Sequence, residues 1–385
     1  MPLGLYVSIP FCRTKCSFCN FASGVFSRAR YQEYTERVCG EIARGRELTA
    51  EPVADSIYFG GGTPTVLDTT QLEQIFGAIR DNFEILPETE ITVECAPGTL
   101  SQIWVETLVR CEVNRVSLGV QSFVDLESSS VGRLHTRAIV LEDIARFRDA
   151  GISNISIDLI AGLPHQTAES WEFSLDEAIA SGAPHVSVYM LEVDDDSRLG
   201  RELIAGGTRY HAHHVPDEDL TASMYEAACE RLSEAGVAQY EISNFAREGF
   251  MSRHNLKYWT RQPYLGFGVD AHSMLREGGD GVRFCNPDSL EGYVANHAVE
   301  RHSVSRREAL EETFFLGLRL MRGVCLAEIE VKFEDDLGEY LRVAGELTEL
   351  GLLDQRDGWV RLTERGKLLS NEVFQRFIAV PQLSG

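Results

Sequence analysis

The sequence predicts an α/β fold, a partial (β/α)6 TIM-like barrel followed by a smaller α+β, winged-helix-like module. Three observations carry that expectation. Residues 1–235 alternate short β-branched runs with amphipathic helical stretches. The runs read as continuous apolar segments, the pattern of parallel strands covered on both faces. From Val304 the pattern becomes helical and then ends in a short hairpin.

The expected strands are Leu3–Ile9, Ser56–Phe59, Glu90–Cys95, Arg115–Val120, Ile155–Ile160 and His185–Leu191, and the helices between them Tyr31–Arg46, Thr70–Asn82, Ser101–Cys111, Ala138–Ala150 and Thr167–Ser181. Six strand–helix units make three-quarters of an eightfold barrel, with ligands expected at the C-terminal ends of the strands. The Gly- and His-rich stretch Leu199–Pro216 reads as an excursion before a helix at Asp217–Ala235, and its His211, His213 and His214 read as solvated. Residues 236–303 carry Gly and aromatic residues without a strong period and read as a connecting region. The C-terminal module, 304–385, should hold helices at Arg306–Met321, Leu326–Phe333 and Glu339–Leu350, then a hairpin around Gly358.

At 385 residues the chain suits one large domain with a smaller one. Its net charge of −23 argues against a nucleic-acid surface and turns the winged-helix-like module toward packing or docking. Nine cysteines without a secretory leader indicate a reducing, cytoplasmic setting. No apolar run is long enough for a transmembrane segment, although peripheral membrane contact and a homodimer stay open.

The first expected strand runs into Cys12, Cys16 and Cys19, spaced C-x3-C-x2-C. A disulfide would leave one thiol over. A structural zinc site wants a fourth ligand nearby, and the next cysteine is Cys39. Three thiolates suit a [4Fe–4S] cluster with one iron open to an exchangeable ligand. The alternative is three free cysteines that happen to cluster. Further along, the second strand ends in Gly60-Gly61-Gly62-Thr63, where bare backbone can approach a ligand closely. The third ends at Glu94, the fourth at Gln121 and the fifth around Asp158, with Arg133 on the loop after the fourth. An arginine there can pair a carboxylate, and Gln and Asp can fix hydroxyls. Singly each reads as a solvated side chain; their repeated placement on one rim is the argument.

The cysteine spacing resembles the signature of the radical S-adenosylmethionine (SAM) superfamily, and nearly the whole chain resembles its oxygen-independent coproporphyrinogen III oxidase-like family. The resemblance implies a radical SAM barrel, a [4Fe–4S] cluster on Cys12, Cys16 and Cys19, and SAM contacts at Tyr6, Phe18, Gly61, Gly62, Thr63, Glu94, Gln121, Arg133 and Asp158. Two departures separate this chain from the oxidases. Phe21 stands where they carry a further cysteine, and the N-terminal extension is short. Both point to the sister branch of heme chaperones. His254-Asn255-Leu256-Lys257-Tyr258-Trp259 agrees, an H-N-x-x-Y-W element linked in that branch to heme. His254 offers a nitrogen to iron, and Tyr258 and Trp259 offer flat apolar faces. The alternative is a buried histidine satisfied by hydrogen bonds beside two core aromatics, and His272 is a second candidate. The resemblance thus implies a protein of porphyrin metabolism that carries heme to an acceptor hemoprotein. The rival expectation is an enzyme that oxidatively decarboxylates coproporphyrinogen III to protoporphyrinogen IX.

Overall fold

The computed structural model describes residues 1–195, 197–276, 280–295, 297, 299–333 and 337–378. Six parallel strands form the barrel wall: β1 (Leu3–Ile9), β2 (Val53–Gly61), β3 (Glu84–Cys95), β4 (Arg115–Gln121), β5 (Asn154–Ala161) and β6 (His185–Met190). The outward side chains, among them Leu5, Val7, Ile57, Phe59, Val93, Val116, Leu118 and Ile157, are buried in one core with the covering helices. The inward side chains are mostly polar. Along β4 the sequence Arg-Val-Ser-Leu-Gly-Val-Gln sends Arg115, Ser117, Gly119 and Gln121 to the inner face. The wall therefore has period-two patterning, with an interior closed by hydrogen-bonded polar groups instead of apolar layers.

Residues 236–303 do more than connect. They contribute β7 (Ala238–Glu241), β8 (Asn244–Ala246), β9 (Tyr264–Phe267), β10 (His272–Leu275), β11 (Val282–Cys285) and β12 (Arg301–Ser303). The sheet runs β12-β11-β10-β9-β1-β2-β3-β4-β5-β6-β8-β7, so this segment extends both edges of the six-stranded wall. Between the edges the short helix Arg253–Trp259 crosses beneath the barrel, started by the Ser252 side chain, which accepts from the Asn255 N–H. It is held at the N-terminal ends of the strands. The His254 N–H donates to Glu90 at 3.2 Å, and Lys257 Nζ pairs with Asp55 at 2.7 Å.

The C-terminal module has its own core, in which Phe314 stacks on Tyr340 and Phe377 at 5.4 and 4.9 Å. Beyond the expected helices it has a three-stranded sheet, β13 (Val324–Cys325), β14 (Leu353–Arg356) and β15 (Trp359–Leu362), and two further helices, Glu364–Leu368 and Ser370–Ile378. Positions 379–385 of that module lie outside the described residues. Ile242, in the β7–β8 turn, is buried in this second core, and its N–H donates to the Arg319 carbonyl at 3.1 Å. The module is thereby fixed against the open side of the barrel.

Candidate functional site

A cavity of about 580 Å³ opens at the C-terminal ends of β1–β6. It is lined by Cys12, Cys16 and Cys19, and by Phe18, Gly61, Gly62, Thr63, Glu94, Gln121, Arg133 and Asp158. Of the positions expected there, Tyr6 alone stays outside. It lies deeper in the lumen, its ring stacked 6.1 Å from that of Tyr58, and Tyr58 donates its hydroxyl to Glu94 at 2.8 Å. Tyr6 is thus linked to the cavity through Tyr58 and Glu94.

The cysteine loop is pinned from three sides. The Cys12 N–H donates to the Gly24 carbonyl at 2.9 Å and the Ser17 N–H to that of Val131 at 3.1 Å. The Leu199 N–H, from the helix Arg198–Ala205, donates to the Ser17 carbonyl at 2.9 Å. That helix is the Gly- and His-rich excursion of the sequence, and it braces the loop. Among the described residues, Cys12, Cys16 and Cys19 are not a trio whose sulfurs all lie within 4.8 Å of one another. A single zinc ion, with Zn–S bonds of about 2.3 Å, would draw its sulfurs closer than about 4 Å. Burial raises the Cys12 and Cys16 thiols above their usual range, and Arg133 opposes that rise at Cys16.

Gly62 is a site of close approach. A Cβ there would come within 2.8 Å of the Ile9 carbonyl oxygen and 2.7 Å of that of Phe11, beside Cys12 Sγ. Gly61 adopts φ +99°, which a side chain disfavours. Gln121 holds φ +69°, a conformation costly for a residue with a Cβ, where β4 breaks register with β5. Burial raises the Glu94 carboxyl to about 7; the Tyr58 hydroxyl works against that rise and the charge of Asp158 adds to it. Asp158 is also raised by burial, and accepts from Ser117 Oγ at 3.1 Å. The Nε of Arg133 is buried with no hydrogen-bond partner among the described residues.

The heme expectation at His254, Tyr258 and Trp259 meets a different arrangement. His254 is buried at the opposite end of the barrel. Its Nδ1 is hydrogen-bonded to Ser56 Oγ at 3.0 Å and its Nε2 to the Tyr258 hydroxyl at 2.8 Å. Both nitrogens are thus engaged in hydrogen bonds in this structure, and iron at His254 would have to displace Ser56 or Tyr258. Trp259 borders a separate cavity of about 160 Å³ against the C-terminal module, with the Arg319 guanidinium 4.3 Å over its ring. The sequence also gave no sign of the rim contributed from afar, by Tyr189, Ile242, Arg319, Leu368 and Asn371. Ser117 could have been found from the alternation along β4. Phe21, at the position of the oxidases' extra cysteine, lines the mouth with 64% of its surface exposed.

Residues 6–178 match the Radical SAM superfamily and residues 304–369 the HemN C-terminal domain. The chain is 35% identical to "Heme chaperone HemW" of Bacillus subtilis, over 97% of this chain and 98% of that one. It is 37% identical to the protein of the same name from Synechocystis, over 86% and 81%. Among solved structures, coproporphyrinogen III oxidase (HemN) from Escherichia coli superposes with a TM-score of 0.85 at 24% identity, covering 98% of this chain and 90% of that one, a likeness of fold. No described helix is long and apolar enough to cross a membrane. The radical SAM domain implies a [4Fe–4S] cluster and SAM, and with near full-length identity to these relatives the chain belongs to the HemW family of radical SAM proteins.

Proposed function

We propose that this protein is a cytoplasmic heme chaperone, which holds a [4Fe–4S] cluster through Cys12, Cys16 and Cys19, binds SAM beside it, and delivers heme to an acceptor hemoprotein. The observation that carries the cofactor part is the single cavity lined by the three cysteines, the bare Gly61–Gly62 backbone and Arg133. In this reading Gly62 and Thr63 meet the amino group of SAM and Arg133 its carboxylate. Phe18, packed with Ile160 and Leu191, provides an apolar wall for the base. Glu94, Gln121 and Asp158 take the remaining polar groups, with Tyr6 supporting Glu94 through Tyr58. The cluster, when bound, supplies an open iron for SAM.

The heme part is supported by the names of the relatives and by the exposed aromatic side chains of Phe21 and Tyr189 at the cavity mouth. Flat apolar faces at a mouth suit a porphyrin, which gains affinity by burying its own apolar surface. Heme therefore meets the chain at the mouth, above the SAM site. The test is anaerobic reconstitution followed by two assays on the same sample, heme transfer to an apo-hemoprotein and carbon dioxide release from coproporphyrinogen III with SAM and a reductant. Heme transfer without turnover is expected. Cys16→Ala should lose the cluster while Cys39→Ala retains it. Sustained decarboxylation would replace this reading with the oxidase.

A further inference from the structure

We propose that Asp270, His272 and Cys285 form a binding site for a zinc-class divalent cation on the outer edge of the sheet. The three donor atoms all lie within 4.8 Å of one another, and among the described residues this is the one such trio of His, Cys, Asp and Glu side chains. None of the three lines the cavity that holds Cys12, Cys16 and Cys19.

The backbone explains the convergence. β10 and β11 are antiparallel, and their register sets His272 directly opposite Cys285. Directly opposed residues project from the same face of a sheet at the spacing of neighbouring side chains. Asp270 reaches the same spot from the turn between β9 and β10, where its φ of +56° is the left-handed conformation that Asp tolerates better than most residues. Its Oδ1 lies 3.9 Å from His272 Nε2 and 3.7 Å from Cys285 Sγ. The scaffold beneath is fixed. The Asp270 N–H donates to the Pro287 carbonyl at 2.9 Å, and the Asn286 N–H to that of Ala271 at 3.0 Å. Asn286 Nδ2 donates to the Gly268 carbonyl at 2.8 Å and to Glu41 at 2.7 Å.

The donor set decides the class of ion. Calcium and magnesium select all-oxygen shells, whereas thiolate, imidazole and carboxylate together select zinc and its neighbours. Binding displaces the thiol proton of Cys285 to solvent as the metal–sulfur bond forms, and uses neutral His272 and ionised Asp270. Three protein ligands leave a fourth tetrahedral position, and with His272 and Asp270 exposed it opens to water. The ion would tie the turn 268–271 to β11.

The proposal does not depend on the heme reading, and its test is separate from it. Cluster-loaded protein, in which Cys12, Cys16 and Cys19 are occupied, is titrated with Zn²⁺ by calorimetry, and zinc and iron per chain are counted after dialysis. One zinc per chain is expected in addition to the cluster iron. His272→Ala and Cys285→Ser should each weaken zinc binding at least tenfold with iron content unchanged, and Cys39→Ser should leave it as in the wild type. With Co²⁺ instead, a thiolate-to-cobalt absorption band should form and be lost in Cys285→Ser. Since the His272 side chain is 67% exposed, its removal tests the site without disturbing the core. No zinc bound by the wild type at micromolar concentration, or undiminished zinc in both His272→Ala and Cys285→Ser, overturns the proposal.

Discussion

Glu94 brings together burial, a neighbouring phenol and a second carboxylate. Its folded-state value near 7 lies above the usual carboxylate range, so the cofactor-free native state holds a proton that the unfolded chain has lost at neutral pH. The sign follows from linkage. The contribution of Glu94 to stability is full below about 4.5, its unfolded value, and is lost as pH rises through about 7. A cationic ligand reverses the preference, because it favours the ionised form. SAM affinity should therefore fall by up to about tenfold for each pH unit below 7, and Glu94→Gln should flatten that slope. Calorimetry at pH 6 and pH 8 checks this; equal affinities for the wild type at both would remove Glu94 from the SAM site. Glu94 was legible in the sequence as a carboxylate at a strand end. Its partner Tyr58 was not singled out, although it lies on the same inward face, two residues before Gly60.

The short helix Arg253–Trp259 is the element whose placement the sequence told least about. A histidine four residues before a tyrosine gives the right face and the right contact, since His254 and Tyr258 do hydrogen-bond. What spacing cannot tell is which end of the barrel the helix caps, and here it is the end away from the cysteines. Burial lowers the imidazole of His254 to about 3, so it folds neutral. Its contribution to stability is present above about 6.5 and lost as pH falls toward 3, opposite in sign to that of Glu94. His254→Ala strands the Ser56 and Tyr258 hydroxyls beside a void, at a cost of about 2–4 kcal/mol. Urea unfolding of the cofactor-free protein measures that loss, and the Soret band of heme-loaded protein should not move. A changed Soret band would return His254 to iron. Strands β7–β12 were illegible for a related reason: they are three or four residues long without a period of their own, and pairing with the edges of the wall makes them strands.

At the scale of the whole molecule, the barrel and the C-terminal module are joined through Ile242 and through ion pairs, among them Glu312 with Arg261 and Arg283, and Glu241 with Arg319. Glu241 is fully buried and pairs with Arg319 at 3.4 Å, while the same guanidinium covers Trp259. Arg319→Ala leaves Glu241 without its counter-charge in a desolvated place, a loss of about 3 kcal/mol. The expected outcome is a lower thermal midpoint and faster proteolytic cutting near residue 304, where the module begins. An unchanged midpoint and cutting pattern would show that the two parts are held by other contacts. The alternating elements of the wall made the barrel legible, and the helical period did the same for the module. The docking was not legible, because it depends on Ile242 and Arg319, single residues separated by most of a domain.

The helix beneath the barrel has a bearing on the order of events above it. With that helix packed beneath the strands, the mouth beside Phe21 is the open approach to the cavity in which the cluster and SAM would lodge. On the proposed reading a porphyrin lying across that mouth would act as a stopper, so SAM would have to arrive before the cargo and could not leave until the cargo had gone. Traffic would then be last in, first out, and the residence time of the cargo would set the shortest time for which SAM is held.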